Sequence, residues 1–341
     1  MPQTLELHSP LLLGIFLVLG YGVTGCGLSQ PVPGENVLEG RVIFLDPGHG
    51  GTAETDDFRV GPTGEREEWV NLRVALLLGD MLEARGARVF MSRTEDVAVP
   101  LQDRADSAVA HGADVFLSIH HNATADPAVN FPIIYFHGNA SDNQASVALG
   151  RFVARELREA LFAGESPVSL VSDHVIFPAA GAAVLRHSYG IPGIIGEASF
   201  FTHPPEEERL KDPDHNRREA EAYVAALVAF FAEPGLPIEE KYSTGQVPPF
   251  QVFQEANRMN EEAERWKENY LLGLGLMEAG TPGALAEAYE LFTLSARSFP
   301  DSWVASDCHR HRAEILEALG RYQEAEQERR RVQEFYVAVP D

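Results

Sequence analysis

Short apolar runs that stop abruptly in polar residues and glycines constrain the fold of this chain more than any other feature. The first lies in residues 41–51, where Val-Ile-Phe-Leu is followed by Asp-Pro-Gly-His-Gly-Gly. Similar runs lie in residues 87–92, 114–122, 132–136 and 191–201. Runs of this kind are typical of strands that are buried on both faces of a parallel sheet.

Segments with apolar residues at helical spacing separate these runs. They lie near residues 63–86, 101–112, 145–163 and 216–232. We expect the first helix to begin near Thr63, because acidic residues crowd the following turn and suit the positive end of the helix macrodipole. The alternation of strands and helices predicts an α/β fold with an open, mostly parallel sheet flanked by helices.

Ligand-type residues follow three of the predicted strands. His49 comes just after the first strand, His120 and His121 end the third, and Glu197 lies in the last apolar run. The carboxyl ends of parallel strands meet at one edge of a sheet, which is where ligands bind. Because adjacent strand residues face opposite sides, we expect only one histidine of the pair to point into a shared site.

Glu67 differs from its acidic neighbours in the first predicted helix. It lies three residues before Val70, on the apolar stripe. Carboxylates rarely point inward without a partner, whereas Glu65 and Glu68 are expected to be solvated. Taken alone, Glu67 would more often cap a helix or form an ion pair, and His49 would more often be a structural or exposed turn residue. The function depends on whether such residues meet.

Four blocks, in this order, resemble those of the zinc-dependent N-acetylmuramoyl-L-alanine amidases. The blocks are residues 46–51, Glu67 ahead of Asn71-Leu72, residues 118–122 and residues 197–201, and residues 92–96 and 101–104 also fit that pattern. The resemblance covers about residues 41–232. It implies that His49, Glu67 and His120 bind zinc and that Glu197 acts in catalysis. The bond cut would be the amide between the lactyl group of N-acetylmuramic acid and L-alanine of the peptidoglycan stem peptide.

The chemistry of these residues agrees with that implication. Two imidazoles and one carboxylate leave one tetrahedral position on Zn²⁺ for water, as in catalytic zinc sites. Glu197 can take a proton from the attacking water and later deliver it to the leaving amine. Nitrogen and oxygen ligands accept other divalent ions, and zinc is favoured by geometry and resemblance. Asn122 and Arg93 are candidates for substrate contacts, and residues 163–187 are a candidate for a small lid.

Five further histidines match no ligand position, and we expect them at the surface or behind the ligands. They are His137, His174, His187, His203 and His215. The sequence also departs from the family pattern after the last strand, at Thr202-His203, and at Phe131-Pro132. These departures concern substrate contacts more than the metal site.

The N-terminal residues predict export. Residues 11–20 are apolar but shorter than the ~20 residues of a spanning helix, so they fit a secretory signal. Residues 23–26 resemble a bacterial lipobox, which implies a signal peptide over residues 1–25, lipidation of Cys26, and a tether over residues 26–40. The expected location is the outer membrane, facing the periplasm, with the lipid as the only membrane contact. Because residues 1–10 lack Lys and Arg, an uncleaved anchor or a misassigned start stay as alternatives.

The C-terminal third is expected to be a separate, small all-α helical-repeat domain. A catalytic domain at residues 41–233 would be followed by a proline-rich linker at 234–250 and by helices at 251–341. Two predicted helix pairs, each with a glycine between its helices (Gly280 and Gly320), resemble tetratricopeptide repeats. Fewer than three repeats are marginal alone, so we expect them to pack on a helix near residues 251–268 or on the catalytic domain. They either bind a protein partner or only stabilise the chain.

The net charge and the cysteine content limit which binding partners and which disulfide bonds are expected. The net charge of −24 argues against nucleic acid or an anionic membrane surface as electrostatic partners. If Cys26 is lipidated, Cys308 has no partner, so no disulfide is expected. Cys308, His309 and His311 lie close in sequence but lack a fourth ligand, and we assign no metal there.

Two functions remain beside the amidase. One is a zinc peptidase that cleaves within stem peptides, which the new terminus of the product would distinguish. The other is a non-catalytic peptidoglycan-binding or assembly protein that acts through its helical repeats. The intact set of His49, Glu67, His120 and Glu197 argues against the second.

Overall fold

The computed structural model describes residues 36–55 and 59–340, and strands alternate with helices through most of that range. The strands are β1 (Val42–Pro47), β2 (Arg88–Met91), β3 (Val115–Asn122), β4 (Ile133–Phe136), β5 (Ser169–Ser172), β6 (Gly193–Phe200) and β7 (Tyr336–Val337). The helices up to the predicted linker are α1 (Glu67–Glu83), α2 (Leu101–Ala110), α3 (Gln144–Phe162), α4 (Ala183–His187), α5 (Pro204–Leu210) and α6 (Pro213–Ala232). Those after it are α7 (Glu255–Arg258), α8 (Glu261–Glu264), α9 (Trp266–Ala279), α10 (Pro282–Ser298), α11 (Ala305–Ala318) and α12 (Tyr322–Phe335). A 3₁₀ turn spans Asp173–Val175.

The seven strands form one sheet in the order β2-β1-β3-β6-β4-β5-β7. The pairs β1–β2, β1–β3, β3–β6 and β4–β5 are parallel, whereas β4–β6 and β5–β7 are antiparallel. The prediction of an open, mostly parallel sheet flanked by helices is confirmed. Two strands were not expected: β5 lies within the segment proposed as a lid, and β7 comes from the end of the chain.

Successive strand residues pack into opposite cores, which explains why the strands are apolar throughout. Ile43 and Leu45 belong to one core with residues of α1, α3 and α6. Phe44, between them, belongs to the second core with residues of α2, α4 and the C-terminal helices. The two-residue alternation of a strand places them so, and the sheet is therefore covered on both faces.

The C-terminal region is helical, as predicted, and it packs on the sheet. Trp266 is buried and meets Phe299 and Trp303 edge-on, with ring centroids 5.0 and 4.8 Å apart. Phe299 in turn lies 6.3 Å from Phe200 of β6. From Asn36 onward the chain forms one compact unit. The C-terminal helices were expected to pack either on a helix near residues 251–268 or on the catalytic domain, and the second placement is found. The domain boundary at 234–250 and the resemblance to tetratricopeptide repeats stay predictions.

The start of α1 corrects one expectation. The helix begins at Glu67 rather than near Thr63, because residues 60–66 form a turn in which Val60 bridges Arg66. Gly64 has a φ of +100°, which a helix does not allow. The carboxylate of Glu207 accepts the backbone N–H of Thr63 at 2.9 Å and holds this turn.

Glu68 also differs from expectation. It is fully buried rather than solvated, and its Oε1 accepts a hydrogen bond from Arg66 Nε at 2.7 Å. Thr52, in the turn after β1, also donates to Glu68 Oε1 at 3.3 Å, so this carboxylate faces that turn instead of solvent.

The predicted signal peptide and Cys26 lie outside the described residues. Within the described part of the chain, no helix is both long and apolar enough to cross a membrane.

Candidate metal centre

Three elements bring the predicted ligand residues to one edge of the sheet. β1, β3 and β6 are adjacent and parallel, and His120 and Glu197 are partners in the β3–β6 register. His49 lies just beyond the end of β1, and Glu67 is the first residue of α1. His49, Glu67, His120 and Glu197 therefore line one cleft. The strand ends predicted this meeting for the two histidines and Glu197, and the apolar stripe of the first helix had singled out Glu67.

His49, Glu67 and His120 form a compact set of ligand atoms. Glu67 Oε1 lies 3.2 Å from His49 Nε2 and 3.0 Å from His120 Nδ1. Ligands about 2.0–2.1 Å from a tetrahedral Zn²⁺ are themselves about 3.3 Å apart. The donor types and their spacing therefore fit a divalent ion with room for a further ligand.

The electrostatics of this set also suit a cation. Burial disfavours a charged carboxylate, but His49 and His120 outweigh it and hold the pKa of Glu67 well below its usual range. Burial lowers the pKa of His49, although Glu67 opposes this, and a neutral imidazole is the form that binds metal. The guanidinium of Arg59 already lies against these atoms, with Nε 3.3 Å from His49 Nε2.

The backbone before the first ligand is shaped for a close approach. A Cβ on Gly48 would lie 2.2 Å from the ring of His120, so only glycine fits there. His49 itself has a φ of +58°, in the left-handed region that side chains other than glycine rarely adopt. Strain of this kind persists where surrounding contacts hold it and is common at functional sites.

Two buried arginines hold that turn. Arg104 donates to Asp46 Oδ1 at 2.8 Å and to the carbonyl of His49 at 2.6 Å. Arg93 donates to the carbonyls of Pro47 and Gly48 at 2.9 and 2.8 Å. Burial disfavours charge on Asp46, but Arg104 and two serine hydroxyls outweigh it and lower its pKa. These bonds fix the direction in which His49 leaves the sheet.

Hydrogen bonds from residues behind the ligand set fix the orientation of the Glu67 side chain. Asn71 donates to Glu67 Oε1 at 3.2 Å, and its own Oδ1 lies 2.8 Å from His121 Nδ1. The other ring nitrogen of His121 lies 3.0 Å from Glu219 Oε2. Burial disfavours a charged imidazole, but Glu219 raises the pKa of His121. His121 thus points away from the ligand set while His120 points into it. The alternation of strand residues predicted that only one of the two would enter the site, and the family resemblance indicated His120.

Glu197 faces the cleft with an unsatisfied carboxylate. Its Oε2 is buried and has no hydrogen-bond partner among the described residues. Burial, together with the charges of Glu67 and Asp301, raises the pKa of Glu197 to about 7, against the opposing effect of His120 and His121. A carboxyl group with a pKa near neutrality can both accept and donate a proton.

The cleft around these residues has a volume of about 780 Å³ and is bounded by two further parts of the chain. One wall comes from residues 173–186, which contribute Ile176 and Phe177. The other comes from residues 253–259, beyond the predicted linker. The segment at 163–187, proposed as a lid, thus supplies both a strand of the sheet and a wall of the cleft.

The two residues proposed for substrate contact lie in different places. Asn122 lines the cleft, and its Nδ2 is buried without a partner in the described part of the chain. Arg93 is 3% exposed, and its guanidinium donates to backbone carbonyls around the turn after β1. A substrate contact by Arg93 stays a prediction that these hydrogen bonds do not support.

A second histidine cluster lies beyond the carboxyl end of β4, which runs antiparallel to β6. His137, Asp173 and His174 are all buried, and His137 Nδ1 lies 2.8 Å from Asp173 Oδ2. The same carboxylate oxygen accepts the backbone N–H of Ala182 at 2.7 Å. The cluster therefore joins β4 to the cleft wall. His137 and His174 are buried within it rather than at the surface, and the three side chains are close enough together to share a metal ion.

The sequence analysis placed Asn71 in the Glu67 block without giving it a role, and it did not identify Glu219 or the cleft residues Tyr135 and Arg258. Asn71 lies one turn after Glu67, so its i, i+4 spacing was the available signal. The others act through contacts between distant segments. Sequence spacing does not encode such contacts.

Comparison with known proteins gives a consistent result. Residues 43–229 match the family described as N-acetylmuramoyl-L-alanine amidase. The amidase AmiA of Escherichia coli (strain K12) is 27% identical over 228 residues, covering 56% of this chain and 76% of that protein. The amidase LytC of Bacillus subtilis (strain 168) is 29% identical over 197 residues, covering 58% of this chain and 37% of that protein.

A solved structure shares the fold. The crystal structure of the N-acetylmuramoyl-L-alanine amidase from Clostridium difficile 630 matches with a TM-score of 0.50 and 27% identity. The match covers 58% of this chain and 100% of that one. Since the family match spans more than half of the sequence, the chain belongs to the N-acetylmuramoyl-L-alanine amidase family, as its four sequence blocks predicted.

Proposed function

We propose that this protein uses zinc to hydrolyse the amide bond between N-acetylmuramic acid and L-alanine of the stem peptide in peptidoglycan. Family members are amidases that hydrolyse peptidoglycan. The observation that carries the zinc dependence is the spacing of His49 Nε2, Glu67 Oε1 and His120 Nδ1, with 3.2 and 3.0 Å to the shared carboxylate oxygen.

His49, Glu67 and His120 would hold the ion. Two nitrogen donors and one carboxylate suit Zn²⁺ and leave a position open for catalysis. When bound there, the ion supplies a Lewis acid that polarises the scissile carbonyl and makes water more acidic. Asn71 would keep Glu67 oriented, since outer hydrogen bonds to metal ligands set their direction.

Glu197 is the proposed general base and acid. Glu197 lines the cleft, and its carboxylate, whose Oε2 has no hydrogen-bond partner among the described residues, can accept a proton from the attacking water. The protonated carboxyl can then deliver that proton to the nitrogen of the leaving L-alanine, so one side chain serves both steps. Asn122 Nδ2, which has no partner within the described residues, is a proposed donor to the substrate.

The location follows from the substrate. Peptidoglycan lies outside the cytoplasm, so the enzyme must be exported to reach it. We propose that lipidation of Cys26 anchors the chain, in an outer membrane if the cell has one. Metabolic labelling with a fatty-acid analogue should label the native protein and not the Cys26→Ala variant; a native protein that takes up no label would exclude the lipid anchor.

The C-terminal helices are a proposed surface for a protein partner. Helix α9 exposes Leu271 and Leu272, with 56% and 49% of each side chain accessible. Contiguous exposed apolar surface is a feature of interaction sites, and these leucines would be part of such a surface.

Digestion of purified peptidoglycan by the exported part of the chain tests the function directly. Mass spectrometry should detect free peptides that begin at L-alanine; chelation should abolish them and zinc should restore them. The Glu197→Gln variant should bind zinc with unchanged stoichiometry and release no peptide. Glu221→Gln is the matched control, because Glu221 is exposed on α6. Peptides cut internally would indicate a peptidase instead.

A further inference from the structure

The far wall of the cleft comes from a part of the chain outside the family match. That match ends at residue 229, whereas Phe253, Gln254, Arg258 and Met259 line the same cleft as Glu197. The C-terminal region therefore contributes directly to the surface that a substrate meets. Among these four residues, Arg258 carries a charge.

Arg258 is held in place by a buried carboxylate. Its Nη2 donates to Asp301 Oδ1 at 2.9 Å, and Asp301 is fully buried. Asp301 also accepts a hydrogen bond from the hydroxyl of Tyr135, another residue of the cleft. The guanidinium lies 5.7 Å from the ring centroid of Phe299. These contacts orient the side chain while 20% of it stays accessible.

The guanidinium groups of the other three arginines that line the cleft are engaged in other contacts. Arg104 is 3% exposed and bonded to Asp46 and to backbone carbonyls. Arg59 lies against the candidate metal ligands. Arg186 donates to the carbonyls of Ala180 and Gly181 and so holds its own loop. In Arg258, the hydrogen bond to Asp301 engages one nitrogen of a group with five N–H donors.

The chemistry of the substrate indicates what such a guanidinium would bind. The glycan offers hydroxyl and acetamido groups, which are uncharged near neutral pH, and the lactyl carboxyl is consumed in the scissile amide. The carboxylates of the substrate therefore belong to its peptide. Arginine is well suited to carboxylates, because its planar fork of donors matches their two oxygens.

We infer that Arg258 is a specificity-determining residue that binds a carboxylate of the stem peptide beside the scissile bond, positioned by Asp301 and Tyr135. This inference rests on the proposed amidase function. Tyr135 lies on β4, which pairs with β6 so that Ile133 is opposite Glu197. A peptide carboxylate held at Arg258 is thus fixed relative to the proton-transferring carboxyl group.

Two synthetic substrates that differ only in charge test the inference with the full exported chain. One is a muramoyl dipeptide ending in glutamate with both carboxylates free, and the other is its diamide. The native enzyme should prefer the dicarboxylate. Arg258→Gln should lower kcat/KM for the dicarboxylate by about 10-fold or more, mainly through KM, because a charge-assisted hydrogen bond is lost. It should change kcat/KM for the diamide by less than about twofold.

Two further variants distinguish a loss of carboxylate binding from a general disturbance of the cleft wall. Arg258→Lys keeps the charge and should recover part of the preference for the dicarboxylate. Arg265→Gln is the matched control, because Arg265 is exposed and pairs with Glu268 at 2.8 Å near the same wall; its substrate preference should equal that of the native enzyme. An equal loss on both substrates in Arg258→Gln, or no loss on either, would overturn the inference.

Binding measurements separate this inference from the proposed function. Calorimetry on zinc-loaded Glu197→Gln should show tighter binding of the dicarboxylate than of the diamide, and Arg258→Gln in that background should remove the difference. If this difference is found but the native enzyme releases no L-alanyl peptide, the amidase proposal fails and the subsite stands. If peptide is released but the two substrates bind equally, the subsite fails alone.

Discussion

At the scale of single residues, the candidate metal centre depends on how closely an imidazole approaches the backbone. Gly48 lies directly under the ring of His120, and His49 follows it with a φ of +58°. Arg93 and Arg104 hold this turn through backbone carbonyls. The ligand set is therefore fixed by sterics and by buried hydrogen bonds before any ion binds.

Gly48→Ala should weaken zinc binding at least about tenfold, since disturbed support of a metal ligand has effects of that size. The added Cβ would lie 2.2 Å from His120 Nε2, so the imidazole must move. Competition with a chelator would measure the affinity. Gly283→Ala is the control, because an added Cβ there meets nothing within 4 Å. Native-like affinity in Gly48→Ala would mean that His120 is not a ligand in this position.

Glu206 should give the fold a specific dependence on pH. It is buried, and Arg209 and His215 donate to it. Burial alone would raise its pKa, but these hydrogen bonds outweigh burial and lower the pKa to about 2. Since the pKa is lower in the folded state, Glu206 stabilises the protein above about pH 4.5, and this stabilisation is lost as the pH falls toward 2.

The corresponding experiment compares Glu206→Gln with the native chain from pH 7 to pH 3.5. The variant should lose up to about 3 kcal/mol of unfolding free energy at pH 7, and the difference should shrink as the pH falls. Urea unfolding would measure it. Glu208→Gln, at an exposed position on the same helix, should differ little from the native chain at any pH. A difference that is constant with pH would contradict the role of Glu206.

At the scale of elements, the C-terminal helices act as the cover for one face of the sheet. Trp266 at the start of α9 packs on Phe299 and Trp303, and Phe299 approaches Phe131 at 6.1 Å. β7 then pairs with β5 at the edge. Helices and strand together close a core that the strands alone would leave open to water.

Trp266→Ala should cost about 3–5 kcal/mol of unfolding free energy, the usual loss for a large aromatic side chain removed from a core. Its side chain is 1% exposed. Tyr322→Ala on α12 is the control, because Tyr322 is 65% exposed and its truncation should change stability by less than about 0.5 kcal/mol. Chemical denaturation would measure both. Equal effects would show that the α9 side chain is not part of the shared core.

At the scale of the whole molecule, residues from Asn36 onward form one compact unit although sequence composition suggests two domains. Phe116 and Phe200 from the strands share a core with Phe292 and Ile315 from the C-terminal helices. A core of this kind couples the stability of its parts.

Thermal unfolding of the exported chain should therefore show a single cooperative transition. A chain ending at residue 233 should unfold at lower temperature and bind a hydrophobic dye, because the second face of the sheet loses its cover. Calorimetry and dye fluorescence would measure both. Two separate transitions in the long chain, or an unchanged transition in the short one, would support the independent domains that the linker at 234–250 predicts.

The sequence by itself predicted β1, β2, β3, β4 and β6 with their polar ends, and its resemblance to the amidase family singled out His49, Glu67, His120 and Glu197. Local periodicity and residue type encode the strands and their ends, because a buried strand must be apolar and a parallel sheet brings its strand ends together. The alternation of strand residues also predicted that only one of His120 and His121 enters the site, although the partner of His121, Glu219, lies 98 residues away.

Tertiary structure alone decided where the remaining parts meet. The bond between Tyr135 and Asp301 joins residues 166 positions apart, and the pairing of β5 with β7 joins the middle of the chain to its end. The two strands leave no local pattern in the sequence. β5, Ser-Leu-Val-Ser, is short and half polar, and β7 has only two residues and therefore no period. The composition of residues 234–250 is that of a linker, yet burial of the apolar face of the sheet draws the helices beyond it onto the catalytic region. That packing brings Arg258 into the cleft.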